Sequence, residues 1–264
     1  MKKLALLFVL AAWTVAGCEA VQHPIATQRA GAAPTYFDTS ELDLTRLLPP
    51  APTNTSAETR DDLDQMLKVQ QTRSAAESER ARADVAVNIY RLGDALGNPA
   101  GFNAKSLPLT DALFRKVLAS ELVVVGAAKK YYGRPRPFLL ETKLEPLIDK
   151  PHDGSYPSGH SSWVRAVALV LGGMVPERRA QIIARADEYA HNRVVVGVHY
   201  PSDVEAGKLA GTAIAAALYA SPDFRRDLAA ATIELRQALS LPAGPSASVA
   251  AVAPAPRPAQ AATH

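Results

Sequence analysis

The sequence predicts an all-α fold, a single-domain helical bundle of about seven or eight helices. Two observations carry this prediction. Apolar residues recur at helical spacings of three and four along most of the chain, and no series of alternating strands joined by hairpin turns occurs. With 264 residues, of which 48% are hydrophobic, the chain can bury one substantial core.

The N-terminal segment has the layout of an export signal. Two lysines precede an apolar run over residues 4–15, which is too short for a comfortable membrane span, and small residues follow. Residues 1–17 are therefore predicted to be a signal peptide. Cys18, the only cysteine, stands where a bacterial lipobox places the residue that is lipidated and becomes the mature N-terminus. Ordinary cleavage after Ala20 is the alternative.

Either form of cleavage predicts a protein of the periplasm or cell envelope, and a lipidated Cys18 would anchor it to the outer membrane. Without a second cysteine, no internal disulfide is expected. The formal charge is +3, but without Lys2 and Lys3 the 29 basic residues fall to 27, against 26 acidic ones. Such a balance argues against a nucleic-acid partner.

The first half of the chain predicts a tether, an arm and then helices. Residues 18–35 are small and polar, as in a flexible linker. The folded domain is expected over residues 36–241, beginning with an irregular arm, with helices starting only after Ser56. Two apolar stripes follow at helical spacing, one formed by Leu63, Met66, Leu67 and Gln70 and one by Val85, Ile89, Leu92 and Leu96.

The second half predicts four further helices. Ser106 or Thr110 would cap a helix over residues 111–132, and an apolar helix from residue 161 would stop at Gly172 and Gly173. Pro176 and the pair Ser221-Pro222 each open a helix, the first with Ile182, Ile183, Ala186 and Tyr189 facing inward and the second with Phe224, Leu228, Leu235 and Leu239 in line.

Residues 194–198 and 242–264 differ in composition from these amphipathic helices. Residues 194–198 are rich in β-branched valine and could form a short strand, but their helical neighbours favour a helix. Residues 242–264 are mostly alanine, proline and serine. They carry too few large apolar side chains to offset the entropy of ordering, so they are predicted to be a disordered tail.

Three clusters of polar residues carry the chemistry. The first contains Lys129, Lys130, Arg134 and Arg136, which alone would be read as a solvated helix end. The second, residues 157–160, reads PSGH. There a helix starting near His160 would aim free N–H groups at an anion, Ser158 would add a hydroxyl, and Gly159 would permit close approach.

The third cluster, residues 191–203, reads HNRVVVGVHYPSD. If a helix begins near its end, Asp203 can reach back to His199 at position i−4 and fix the tautomer of the ring. An isolated pair of this kind is often only structural. Here it follows Arg193, whose planar fork suits phosphate oxygens. His152 and His191 lack such a context and are interpreted as structural or surface residues.

Taken in order, Lys129-x6-Arg136-Pro137, the PSGH run and Arg193-x5-His199-x3-Asp203 resemble the three-part signature of the type 2 phosphatidic acid phosphatase superfamily. The residues that flank these motifs resemble those of the class A bacterial non-specific acid phosphatases, and the resemblance covers roughly residues 40–240. One departure stands out. Asn192 occupies the place of the family's serine, and its amide N–H groups could replace the hydroxyl contact to phosphate.

The resemblance implies the bundle of the acid phosphatases and vanadium haloperoxidases and a metal-free, cofactor-free hydrolysis of soluble phosphate monoesters. Neutral His199, held by Asp203, would attack phosphorus to give a phosphohistidine, and protonated His160 would serve as the acid. The equatorial oxygens would be held by Lys129, Arg136, Ser158, Gly159 and Arg193.

Two alternatives remain at this point: a lipid phosphate or diphosphate phosphatase at the membrane, and an anion-binding lipoprotein with weak or no turnover. The resemblance also implies a homodimer.

Overall fold

A computed structural model describes residues 34–243. The signal peptide and Cys18 lie outside the described residues, as do almost all of the predicted linker and tail. The described part forms eight α-helices, which are α1 (Ala57–Thr72), α2 (Ala75–Ala83), α3 (Pro108–Tyr132), α4 (Pro137–Leu140), α5 (Gly159–Met174), α6 (Arg179–Val195), α7 (Pro201–Ala220) and α8 (Pro222–Ala238). No strand occurs within residues 34–243, and the all-α prediction is confirmed.

Helix α5 forms the centre of the bundle. Most of its side chains are buried, including Trp163, Val167 and Leu171, because it is apolar on nearly every face. It packs chiefly against α6 and α7. The helix that carries the PSGH residues is therefore fixed between the two helices that flank residues 196–200.

Two glycines bring α7 very close to α5. A Cβ at Gly207 would lie 2.6 Å from the carbonyl oxygen of Ser158, and one at Gly211 would overlap the carbonyl oxygen of Ser162. Only glycine permits this approach of two helices. The contact places the first turn of α7, with Asp203, beside the first turn of α5.

The start of α3 is capped differently from the prediction. Neither Ser106 nor Thr110 caps it, since the helix begins at Pro108 and its N-cap residue makes no side-chain hydrogen bond. The carboxylate of Glu234 on α8 instead accepts from the backbone N–H groups of Leu109 at 3.0 Å and Thr110 at 2.7 Å. A residue from another helix satisfies these donors, so the prediction of a capping residue next to α3 in the sequence is wrong.

The predicted stop at Gly172 and Gly173 is also wrong, because α5 continues to Met174. A Cβ would lie 3.2 Å from Arg179 Cγ at the first glycine and 2.9 Å from the Tyr219 hydroxyl at the second. Close packing, not helix termination, explains these glycines.

Other element predictions hold with adjustments. Ser56 and Ser221 cap α1 and α8 as their positions indicated. Three residues of the second apolar stripe lie in a 3-10 helix, Ile89–Leu96, whereas Val85 lies in the turn before it. Pro176 opens a 3-10 turn that leads into α6. The valine stretch is helical through Val195 and then turns.

The N-terminal arm is held against α3 and α8. The Tyr36 amide donates to Ser120 Oγ at 2.8 Å, and its hydroxyl donates to Asp227 Oδ2 at 3.0 Å. Within residues 34–243, no helix combines the length and apolar character needed to cross a membrane.

Candidate active site

His199 and Asp203 form a buried pair at the start of α7. His199 lies just before the helix, and Nδ1 of its ring lies 3.2 Å from Asp203 Oδ2. Tyr200 is the N-cap residue, and its backbone N–H donates to the same carboxylate oxygen at 3.0 Å. The carboxylate at the third helical position thus caps the helix and fixes the imidazole at once.

Arg134 and Ser155 also bind the Asp203 carboxylate, Arg134 through the oxygen that does not face His199. Arg134 Nη1 donates to Oδ1 at 2.7 Å, the Ser155 hydroxyl donates to Oδ2, and the guanidinium lies 3.8 Å from the centre of the Tyr200 ring. Burial raises the pKa of Asp203, while Arg134 and these hydrogen bonds oppose the rise. Sequence reasoning placed Arg134 only in a run of charges and missed Ser155, which no motif marks.

The free nitrogen of His199 faces the cations. Its Nε2 lies 2.9 Å from Arg136 Nη1, which can only donate, so Nε2 carries the lone pair and Nδ1 the proton that goes to Asp203. Burial, reinforced by Arg136 and Lys129, places the pKa of His199 well below its ordinary value. The ring is therefore neutral and held in one orientation.

Ser158, predicted only as a hydroxyl donor to an anion, is the N-cap residue of α5, and its hydroxyl oxygen accepts from Ser161. Gly159 opens the helix. A Cβ there would lie 3.7 Å or more from surrounding atoms, which is ordinary contact. The packing of the protein therefore does not itself require glycine, whereas an anion bound close to the backbone would.

His160 is not set up as predicted. Its Nε2 lies 3.1 Å from the Val85 carbonyl oxygen, so Nε2 must carry a proton and Nδ1 is the nitrogen left for a ligand. Burial and the charge of Arg193 lower the pKa of His160. With the protein's own charges alone it is neutral, which corrects the expectation of a protonated acid. An anion in the site would raise this pKa.

Lys129 and Arg136 converge on a residue that the motifs do not contain. Lys129 Nζ lies 3.0 Å from Asp153 Oδ2 and 2.5 Å from the Gly154 carbonyl oxygen. Arg136 Nη2 lies 2.6 Å from Asp153 Oδ1, and Nη1 donates to the Val198 carbonyl at 2.8 Å. Burial, with Arg136 nearby, lowers the pKa of Lys129 to about 8.

Arg193 differs from these two cations because two of its guanidinium nitrogens have no acceptor in the described part of the chain. The side chain is 3% exposed, and neither Nε nor Nη1 finds a hydrogen-bond partner within residues 34–243. Burial lowers the pKa of Arg193 to about 10. Arg185 also has buried donors without a hydrogen bond, but it is ion-paired with Asp84, Asp94 and Glu188, whereas no ion pair is found for Arg193 within residues 34–243. Arg193 is therefore a candidate ligand for an anion.

Asn192 points elsewhere. Its Nδ2 donates to Asp84 Oδ2 at 2.7 Å, in a buried cluster where Arg91 and Arg185 also bind that carboxylate. The amide is engaged in this cluster, which corrects the expectation that it contacts phosphate. His152 and His191 are exposed, as interpreted from the sequence.

An open pocket of about 530 Å³ adjoins the cations. Its lining includes Lys129, Arg136 and Asp153, together with further basic and apolar side chains, among them Lys130, Lys150, His152, Phe138 and Leu139. Within residues 34–243, no group of three or more His, Cys, Asp and Glu side chains is arranged to hold a metal ion.

Comparisons with known proteins agree with this geometry. The model of the PAP2 superfamily matches residues 113–227, which include all three clusters. The non-specific acid phosphatase of Salmonella typhi is 32% identical over 195 residues, or 71% of this chain and 78% of the relative. A lipid A 1-phosphatase of Rhizobium johnstonii is 46% identical over 99 residues, covering 36% of this chain and 40% of the relative.

A crystal structure of a bacterial vanadium-dependent iodoperoxidase superposes with a TM-score of 0.51 at 19% identity. The superposition covers 66% of this chain and 52% of that one. At this level of identity the match describes the shared helical fold.

Proposed function

Because the chain belongs to the PAP2 superfamily, and within it to the acid phosphatases, we propose that it hydrolyses phosphate monoesters through a phosphohistidine at His199 without a metal ion. The observation that carries this proposal is the state of His199. The ring is neutral, is held by Asp203 through Nδ1, and presents Nε2 to a cluster of cations. An oriented neutral nucleophile among cations is what attack on a phosphate ester needs.

The reaction proceeds in two balanced steps. Nε2 forms a bond to phosphorus as the bond to the ester oxygen breaks, and the departing alkoxide takes a proton from His160. Water then attacks the phosphohistidine, gives a proton to His160, and releases His199 with inorganic phosphate. His160 becomes a competent acid when the bound phosphate group, carrying negative charge, raises its pKa. Its Nδ1 is the atom available for this proton, since Nε2 is hydrogen-bonded to the Val85 carbonyl oxygen.

The cationic side chains supply the charge stabilisation. Lys129, Arg136 and Arg193 surround the histidines closely enough to lower the pKa of His199. The N-terminal turn of α5 adds backbone N–H donors at Gly159 and the hydroxyl of Ser158. Fixed donors of this kind stabilise the charge that develops on the equatorial oxygens, a role that metal ions fill in other phosphatases.

The test is hydrolysis of p-nitrophenyl phosphate with EDTA present, comparing the wild type with His199→Ala. We expect activity in the wild type and a loss of several orders of magnitude in the variant, because nucleophile and acid act as a unit. A wild type that loses activity with EDTA and regains it with a divalent ion would contradict the metal-free route. Equal activity in both proteins would contradict the assignment of His199.

We further propose that the enzyme works in the periplasm, anchored to the outer membrane through a lipidated Cys18, and as a homodimer. The apolar run before Cys18 supports export, and the family resemblance supports the dimer. Mass spectrometry of the mature N-terminus distinguishes an acylated Cys18 from a chain cleaved after Ala20. Light scattering of the purified enzyme tests the dimer.

A lipid phosphate substrate is the second candidate. It is supported by the relative named a lipid A 1-phosphatase and by the exposed apolar residues beside the cations, since Leu139 is 64% exposed at the pocket. Comparing kcat/KM for p-nitrophenyl phosphate with that for a dispersed phosphatidic acid separates the two. The non-catalytic alternative rested on Asn192 in place of the family's serine. The Asn192 amide is hydrogen-bonded to Asp84, away from the proposed catalytic histidines, so this argument is weakened.

A further inference from the structure

Asp153 is bound by two of the three cations assigned to the phosphate group. Its Oδ1 lies 2.6 Å from Arg136 Nη2, and its Oδ2 lies 3.0 Å from Lys129 Nζ. Its backbone carbonyl accepts from Arg136 Nε at 3.1 Å. One residue thus bridges both side chains of the first motif through two carboxylate oxygens.

These contacts use the donors that a phosphate group would need. Arg136 donates from Nε and Nη2 to Asp153 and from Nη1 to Val198 and His199. Lys129 donates to Asp153 and Gly154. A carboxylate and a phosphate group both present paired oxygens to such donors, so the two compete for the same hydrogen bonds. Arg193, whose Nε and Nη1 have no acceptor within residues 34–243, is not involved in this competition.

The Asp153 side chain has room to leave. It is 55% exposed, whereas the side chains of Lys129 and Arg136 are 12% and 4% exposed. The two cations are largely buried, and Asp153 is among the residues that line the open pocket. Although partial burial opposes it, Lys129 and Arg136 lower the pKa of Asp153, so it remains an anion in mildly acidic solution.

We propose that Asp153 is a resident anion which the phosphate group of a substrate must displace, and that it thereby sets the affinity of the site for phosphate. This inference rests on the proposed function, because it takes Lys129 and Arg136 to be phosphate ligands. Each binding event exchanges one set of charge-assisted hydrogen bonds for another, so the affinity reports only the difference between them. Inorganic phosphate, the product, has to compete with Asp153 in the same way, and product release is correspondingly easier.

The competing account is a permanent ion pair in which Asp153 positions Lys129 and Arg136 for the substrate. The two accounts predict opposite changes in the affinity for phosphate when the Asp153 carboxylate is removed. Removing a competitor tightens phosphate binding, whereas removing a positioning residue weakens it.

The experiment is calorimetric titration of the full chain with inorganic phosphate and with orthovanadate near pH 6, comparing the wild type with Asp153→Asn. We expect both anions to bind about tenfold more tightly to the variant, since each of two partly exposed ion pairs is worth a modest amount. In steady-state kinetics with p-nitrophenyl phosphate, KM and the inhibition constant of phosphate should both fall. The Asp223→Asn variant, which removes one charge from an exposed pair with Arg226 on α8, should match the wild type.

Weaker binding in Asp153→Asn, with wild-type stability, would overturn the displacement account in favour of positioning. Unchanged binding would overturn it as well. A wild type that binds neither anion would instead refute the phosphate site itself. That result would contradict the proposed function and is distinguishable from a failure of the role proposed for Asp153. If Asp153→Asn does not fold, Asp153→Ala provides the same comparison, because it removes the carboxylate without adding a donor.

Discussion

Glu121 is a buried carboxyl group whose pKa is raised by burial. It lies on α3, is 1% exposed, and its Oε1 is 2.7 Å from Ser162 Oγ. The same hydroxyl lies 2.9 Å from the Gly159 carbonyl oxygen. The Ser162 hydroxyl donates to Glu121 Oε1 and so favours the ionised carboxylate, with the Gly159 carbonyl as a second acceptor for the same hydrogen. Burial raises the pKa of Glu121 from 4.5 to about 7, although Ser162 and Lys129 oppose the rise.

The sign of the effect on stability follows from this raised pKa. Between the unfolded and the folded pKa, the folded state holds one proton more than the unfolded state, so the free energy of unfolding decreases as the pH rises from 4.5 to about 7. A shift of this size corresponds to roughly 3 kcal/mol, lost in full above about pH 8. The Glu121→Gln variant keeps a side-chain oxygen that can accept from Ser162 and has nothing to ionise.

We therefore expect Glu121→Gln and the wild type to unfold at similar urea concentrations near pH 4.5. Near pH 8 the variant should be the more stable by roughly 3 kcal/mol. Urea titrations followed by circular dichroism at a series of pH values measure this difference. Stability curves that stay parallel across the whole range would refute the reasoning, since Glu121 would then carry the same charge in both states. The Glu205→Gln variant on the exposed face of α7 is the control, and its curve should remain parallel to that of the wild type.

Three further predictions concern the framework of the site. Gly211→Ala forces a Cβ against the Ser162 carbonyl and should lower the free energy of unfolding by about 1–3 kcal/mol in urea titrations, whereas Gly126→Ala, in open space, should not lower it. Asn192→Ala leaves Asp84 without its amide donor and should cost about 1–3 kcal/mol with KM unchanged; a large rise in KM would instead indicate a phosphate contact. Arg134→Gln should lower kcat about 100-fold or more, because Asp203 loses the cation that orients it; an unchanged kcat would contradict this role.

The sequence predicts those parts of the site whose partners lie close together along the chain. His199 and Asp203 are four residues apart at a helix start, so their contact follows from helical geometry. Ser158 and Gly159 are adjacent and open one helix, and the helical periods of α5 and α6 are visible in their apolar residues.

The remaining features depend on packing between distant segments. Arg134 reaches Asp203 across 69 positions, and Glu234 caps α3 from α8. Gly172 and Gly173 of α5 were interpreted only as a helix stop and the glycines of α7 were not identified, because the neighbours that exclude a Cβ come from other helices. Asp153 lies outside every motif, and its position on both cations results from the fold of the segment before α5.

The role of His199 as the nucleophile is the central claim, and trapping the covalent intermediate tests it most directly. The enzyme is mixed with a phosphate monoester, quenched within milliseconds in alkaline denaturant, where phosphohistidine survives, and digested for mass spectrometry. We predict a phosphate group on the peptide that contains His199, with greater accumulation in His160→Ala when the leaving group is p-nitrophenolate, and none in His199→Ala. Turnover by the wild type with no phosphorylated peptide, or with the phosphate group on another residue, would contradict the account.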